Sequence, residues 1–133
     1  TRLAEVLTQV LKIAEEERVS VVNVAHAGDG NLHPLILFDR REPGVLERVF
    51  RTGHRIVEAA LAAGGVVSGE HGIGLEKRDF LFAASVMTAA EYDLHVRLRS
   101  ALEPSGLMNP GKKIVPRSAT VPVPSMVPEG TWL

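Results

Sequence analysis

His26 and His33 bracket the residues Ala27-Gly28-Asp29-Gly30-Asn31-Leu32, and a second stretch, Ser68-Gly69-Glu70-His71-Gly72-Ile73-Gly74, sets an acid beside a third imidazole. Imidazole nitrogens and carboxylate oxygens are the donors that a chain without cysteine offers a divalent cation. This chain has no cysteine. The chemistry within reach is cation binding by two histidines and one glutamate, with a neighbouring imidazole free to take a proton.

The first pair depends on a hairpin. Val21-Val22-Asn23-Val24-Ala25 leads in and Leu35-Ile36-Leu37-Phe38 leads out. Asp-Gly between apolar runs is a strong signal for a two-residue turn. With Asp29 and Gly30 as that turn, the expected cross-strand pairs are Gly28 with Asn31, Ala27 with Leu32 and His26 with His33. The two histidines then face each other with Cβ atoms roughly 5 Å apart. Asn31 shares their face by parity, so it reaches either a bound ligand or the backbone of the turn. Asp29 reads as a turn former rather than an acid or base.

The second stretch follows an expected short strand, Val66-Val67-Ser68. Its glycines let the backbone bend sharply and come close to a ligand. Glu70 could complete a shell of two histidines and one carboxylate, leaving coordination positions open. In an extended loop neighbouring side chains point to opposite sides, so His71 need not share that task. An imidazole changes charge nearest neutral pH of any side chain, which suits His71 to accept a proton. The same shell serves a metal-dependent hydrolase or a non-haem iron oxygenase equally well. A non-catalytic, truncated domain that only folds and associates is a third reading. His54, His95 and the pair Lys77-Arg78 read as surface residues. Met108-Asn109-Pro110-Gly111-Lys112 reads as a tight turn whose Lys112 could meet a phosphate or carboxylate.

Three helices and the hairpin must position these groups. Leu3, Val6, Leu7, Val10, Leu11 and Ala14 recur at helical spacing on one face, and Glu15-Glu16-Glu17-Arg18 ends that helix in solvent. A second helix starts at Pro43, buries Leu46, Val49, Phe50, Val57, Ala60 and Leu61, and stops at Gly64-Gly65. A third spans about Thr88 to Glu103, with Leu94, Leu98, Ala101 and Leu102 in register. The pattern is α+β: a small, largely antiparallel sheet with helices packed on one face. Three strands leave that sheet short, so a further strand is expected upstream. Pro116, Pro122, Pro124 and Pro128 mark residues 116–133 as an extended tail, with Trp132 as an anchor for it.

The chain has 133 residues, 45% apolar and 23% charged, with a formal net charge of −1. That balance supplies no basic surplus for nucleic acid. Its apolar runs fall short of the roughly 20 residues of a membrane helix. No leader pattern opens the chain, and the absence of cysteine fits a reducing compartment. The expectation is a cytoplasmic location, with membrane association only through partner subunits. Thr1 in place of Met reads as an excised or processed fragment.

Three stretches together resemble the C-terminal domain of the FAD-linked D-2-hydroxyacid oxidases and dehydrogenases: residues 26–34, 68–74 and 106–112, in family order and spacing. The resemblance covers about residues 1–115 and implies the ferredoxin-like part of a substrate domain. It implies oxidation of a D-2-hydroxy acid, of the glycolate or D-lactate type, to the 2-oxo acid by hydride transfer to FAD. His26, His33 and Glu70 are then ligands of a divalent metal, zinc foremost. His71 is then the base or a substrate ligand, and the loop with Asn109 and Lys112 turns toward the flavin; Asn31 remains the candidate substrate ligand that strand parity offers. The FAD-binding domain, and the basic side chains that usually meet the substrate carboxylate, lie outside these residues. A partner domain upstream or in trans is therefore implied, with self-association into a homo-oligomer left open and this chain inactive by itself.

Overall fold

The computed structural model describes residues 2–82 and 86–115; the proline-rich tail with Trp132 lies outside the described residues. The elements run α1 (Leu3–Glu17), β1 (Ser20–His26), β2 (Asn31–Leu37), α2 (Val45–Ala62), a short 3₁₀ turn at Arg78–Phe82 and α3 (Ala89–Leu102). They form two compact units, one running to His71 and the other from Gly72. The α+β class holds: among the described residues three helices accompany a two-stranded antiparallel sheet.

In the first unit α1 and α2 pack on one face of the hairpin. Val10, Ile13 and Ile56 form the buried centre, with Val6, Val21, Ile36 and Ala59 packed against it. Burying each of the three central side chains contributes about 1.5–3 kcal/mol. The inner face of α1 is rotated from the expected one, since Ile13 is buried while Leu11 is 53% exposed. Its acidic end also departs from expectation. Glu17 is buried and accepts hydrogen bonds from Arg51 Nε at 2.7 Å and Arg55 Nη1 at 2.8 Å, while Arg55 also pairs with Glu16. These bonds, the one from Arg55 foremost, hold the Glu17 carboxyl below the usual carboxylate range.

The strand register corrects the expected turn. His26 pairs with Asn31, Ala25 with Leu32 and Val24 with His33, so the loop comprises residues 27–30 rather than two residues. The amides of Asp29 and Gly30 both donate to the His26 carbonyl at 3.0 Å. Of the loop residues only Gly30 has a positive φ, at 75°. The two-residue turn needs two left-handed residues. The longer loop spares Asp29 that conformation, which glycine adopts without steric cost.

Two further expectations are corrected. Residues 66–68 are not a strand, and the described sheet contains β1 and β2 alone. The run lies between Gly65 and Gly69 and pairs with neither described strand. Val67 is nevertheless buried at its centre, while Val66 is exposed. Pro43 lies before α2 rather than inside it, and Gly44, with φ 72°, caps the helix.

In the second unit Thr88 caps α3 by a reciprocal pair: its hydroxyl accepts from the Glu91 amide while the Glu91 carboxylate accepts from the Thr88 amide. The expected inner face of α3 is exposed, with Leu94 at 48%, Leu98 at 51% and Leu102 at 85%. Tyr92 is the buried residue instead. Its ring lies 4.9 Å from that of Phe82, and its hydroxyl donates to the Val115 carbonyl at 2.9 Å. No helix among the described residues is long and apolar enough to cross a membrane.

Candidate metal centre

A sheet residue and its direct partner share a face, and residues two apart along a strand share it too. His26, Asn31, Val24 and His33 therefore stand on one face, opposite the helices. The register differs from the expected one by two residues, an even slip that keeps both histidines together. They become diagonal neighbours rather than direct partners. Their ring centroids are 5.2 Å apart with the planes at 86°.

The segment after Gly65 brings Glu70 to this pair. Glu70 Oε1 lies 3.4 Å from His26 Nε2 and 3.2 Å from His33 Nε2. His71 does not turn away: its Nε2 is 3.4 Å from the same oxygen, and its ring centroid is 5.2 Å from that of His33. The side chains differ in exposure, from 22% at His33 to 77% at His71, so the cluster opens to solvent on the His71 side.

Approach of this segment depends on Gly69. A Cβ built there would stand 2.5 Å from Asn31 Oδ1 and 2.7 Å from Asn31 Cγ. The backbone beside Glu70 thus rests directly on the Asn31 carboxamide. Asp29 stays in the hairpin loop as a turn residue.

The ligand atoms of His26, His33 and Glu70 all lie within 4.8 Å of one another. Two ligands each about 2.1 Å from a tetrahedral zinc stand about 3.4 Å apart, close to the carboxylate–imidazole separations here. Two neutral nitrogens and one carboxylate oxygen are also a donor set that divalent zinc and iron accept. The residues present fit a divalent cation.

In the second unit Asn109 and Lys112 are both exposed, on a loop held through its main chain by Arg99 and Arg78. Arg78, expected at the surface with Lys77, is only 3% exposed. The sequence does not show the role of either arginine, because each bonds to backbone carbonyls that carry no residue-type signal. His54 and His95 are exposed on α2 and α3.

Comparison with known proteins now adds a family. The model of "FAD linked oxidases, C-terminal domain" matches residues 1–113. The chain is 43% identical over 112 residues to the glycolate oxidase subunit GlcD of Escherichia coli, covering 84% of this chain and 22% of that protein. It is 34% identical over 116 residues to a mitochondrial D-lactate dehydrogenase [cytochrome] of Arabidopsis thaliana, covering 87% and 20%. It is 30% identical over 115 residues to a D-lactate dehydrogenase of Archaeoglobus fulgidus, covering 85% and 24%. The chain spans about a fifth of the length of these relatives. With the family model matched across all three motif stretches, the chain belongs to the FAD-linked oxidases, through their C-terminal domain.

Proposed function

We propose that this domain orients a small D-2-hydroxy acid, of the glycolate or D-lactate type, for oxidation to the 2-oxo acid by a flavin-linked oxidoreductase. One observation carries the reading: three imidazole Nε2 atoms converge on Glu70 Oε1 within 3.4 Å. The names of the relatives supply the substrate class, and the flavin-linked family favours this chemistry over the hydrolase and oxygenase readings.

His26, His33 and Glu70 would hold a divalent cation, zinc foremost. A cation held there supplies Lewis acidity toward a hydroxyl and a carboxylate beside it. The donor set leaves about one net positive charge, which suits the paired carboxylate and α-hydroxyl of the substrate and fixes its orientation. Asn31, on the same face, is a substrate neighbour. His71, more exposed than its companions, takes the proton of the α-hydroxyl on Nε2. FAD, when bound, would supply the hydride acceptor for C2. Asn109 and Lys112 are the residues of this chain that would meet it.

An FAD-binding domain is the proposed partner for the histidine face of the hairpin. Val22, Val24, Leu35 and Leu37 lie on that face and are 47–54% exposed. Apolar groups grouped beside polar functional residues mark a surface that another protein layer covers.

The test is anaerobic addition of glycolate or D-lactate to the metal- and FAD-loaded protein containing this domain. Flavin absorbance should bleach. In His71→Ala the metal should stay while turnover falls by about 10² or more. No bleaching with either acid, metal and FAD being bound, would overturn the reading.

A further inference from the structure

Five main-chain carbonyls of residues 108–114 converge on two arginines. Arg99 donates from Nη1 to the oxygens of Lys112 at 2.9 Å and Ile114 at 3.2 Å. From Nη2 it donates to those of Met108 at 2.5 Å and Asn109 at 3.0 Å. Arg78 Nη1 donates to the Gly111 oxygen at 2.6 Å. A guanidinium carries five N–H donors in a rigid planar fork and keeps its charge. Hydrogen bonds from such a donor are shorter and stronger than neutral ones.

The loop so held is one the backbone does not choose unaided. Asn109, Gly111 and Lys113 have φ of 48°, 71° and 59°. Two of the three carry a Cβ, and left-handed conformations at such residues persist only where the surroundings over-determine them. Left-handed residues that alternate with ordinary ones turn successive peptide dipoles the same way. Here the carbonyls go to the arginines, and the Asn109 and Lys112 side chains remain exposed.

We infer that Arg99, supported by Arg78, is a positioning residue that sets how the 108–114 loop presents Asn109 and Lys112 to the flavin. This rests on the reading above that the loop meets FAD. Lysine at position 99 keeps the charge but reaches fewer carbonyls, so charge and fork geometry can be separated.

Arg99→Gln and Arg99→Lys test the assignment by two independent readouts. In the 133-residue chain, amide exchange across residues 107–115 should accelerate by about tenfold or more in Arg99→Gln, with amides of α1, β1 and α2 unchanged. In the FAD-loaded protein, the flavin absorption band should shift and kcat should fall by about tenfold, while KM stays within about twofold. Arg99→Lys should recover less than half of either effect. Unchanged exchange in both variants would overturn the clamp. Faster exchange with wild-type flavin spectrum, kcat and KM would reduce Arg99 to a structural role and overturn the positioning claim. A wild-type protein that takes up no FAD would sink the functional reading itself, a result distinct from either.

Discussion

Gly69 rests on the carboxamide of Asn31 so closely that a Cβ at position 69 would stand 2.5 Å from Asn31 Oδ1. That contact joins the segment carrying Glu70 to the hairpin carrying His26 and His33, and it leaves no room for a methyl group. Gly69→Ala should lift Glu70 from the histidine pair and weaken divalent-cation binding by about 10–100-fold, the range seen when the support of a metal ligand is lost. Asn31→Ser in the same chain should restore part of the affinity by making room. Competition for zinc with a chelating dye measures both. Equal affinity in Gly69→Ala and the wild type would show that the close approach does not set the site.

The pairing of α1 with α2 through Glu17 predicts an acid limit to stability. Hydrogen bonds from Arg55 and Arg51 lower the Glu17 carboxyl, and Glu16 is lowered mainly by its bond from Arg55. A carboxyl depressed in the folded state contributes stability that is fully present above its unfolded value, about pH 4.5, and is lost as pH falls through the folded one. Thermal melts from pH 7 downward should therefore hold steady to about pH 4.5 and then decline. Asp39, Glu91 and Glu103 are lowered as well, by Arg41, Thr88 and Ser105 in turn, so Glu17→Gln should flatten the decline without abolishing it. Parallel curves for variant and wild type would contradict this assignment of Glu17.

Much of the site is legible in the sequence because strand parity tolerates error. Placing the pairing register two residues off changes every cross-strand partner, yet His26 and His33 keep one face, since the side-chain period is two. The adjacency of Glu70 and His71 is less legible. Strict alternation separates them, whereas the bent segment between Gly69 and Gly72, where Gly72 has φ 76°, turns both toward one oxygen. Helix periodicity places α1 and α2 and much of their inner faces, with Val10, Ala14 and Val57 buried, but it takes Leu11 for Ile13, because the two are equally apolar and only the neighbouring elements choose between them. On α3 the leucines at 94, 98 and 102 form a regular stripe, but the described fold buries Tyr92, whose hydroxyl finds both the amide and the carbonyl of Val115. Glu17 and Arg78 defeat the rule that charges are solvated, since each is buried against a partner distant in sequence.

The most direct test of the central claim is a zinc titration of the metal-free chain by calorimetry, run beside His33→Ala and Glu70→Ala. Three donors gathered around a single position predict one equivalent of zinc bound by the wild type, with affinity falling at least about tenfold in either variant. Failure of the wild type to bind, or binding indifferent to both substitutions, would contradict the assignment of His26, His33 and Glu70 as one cation site.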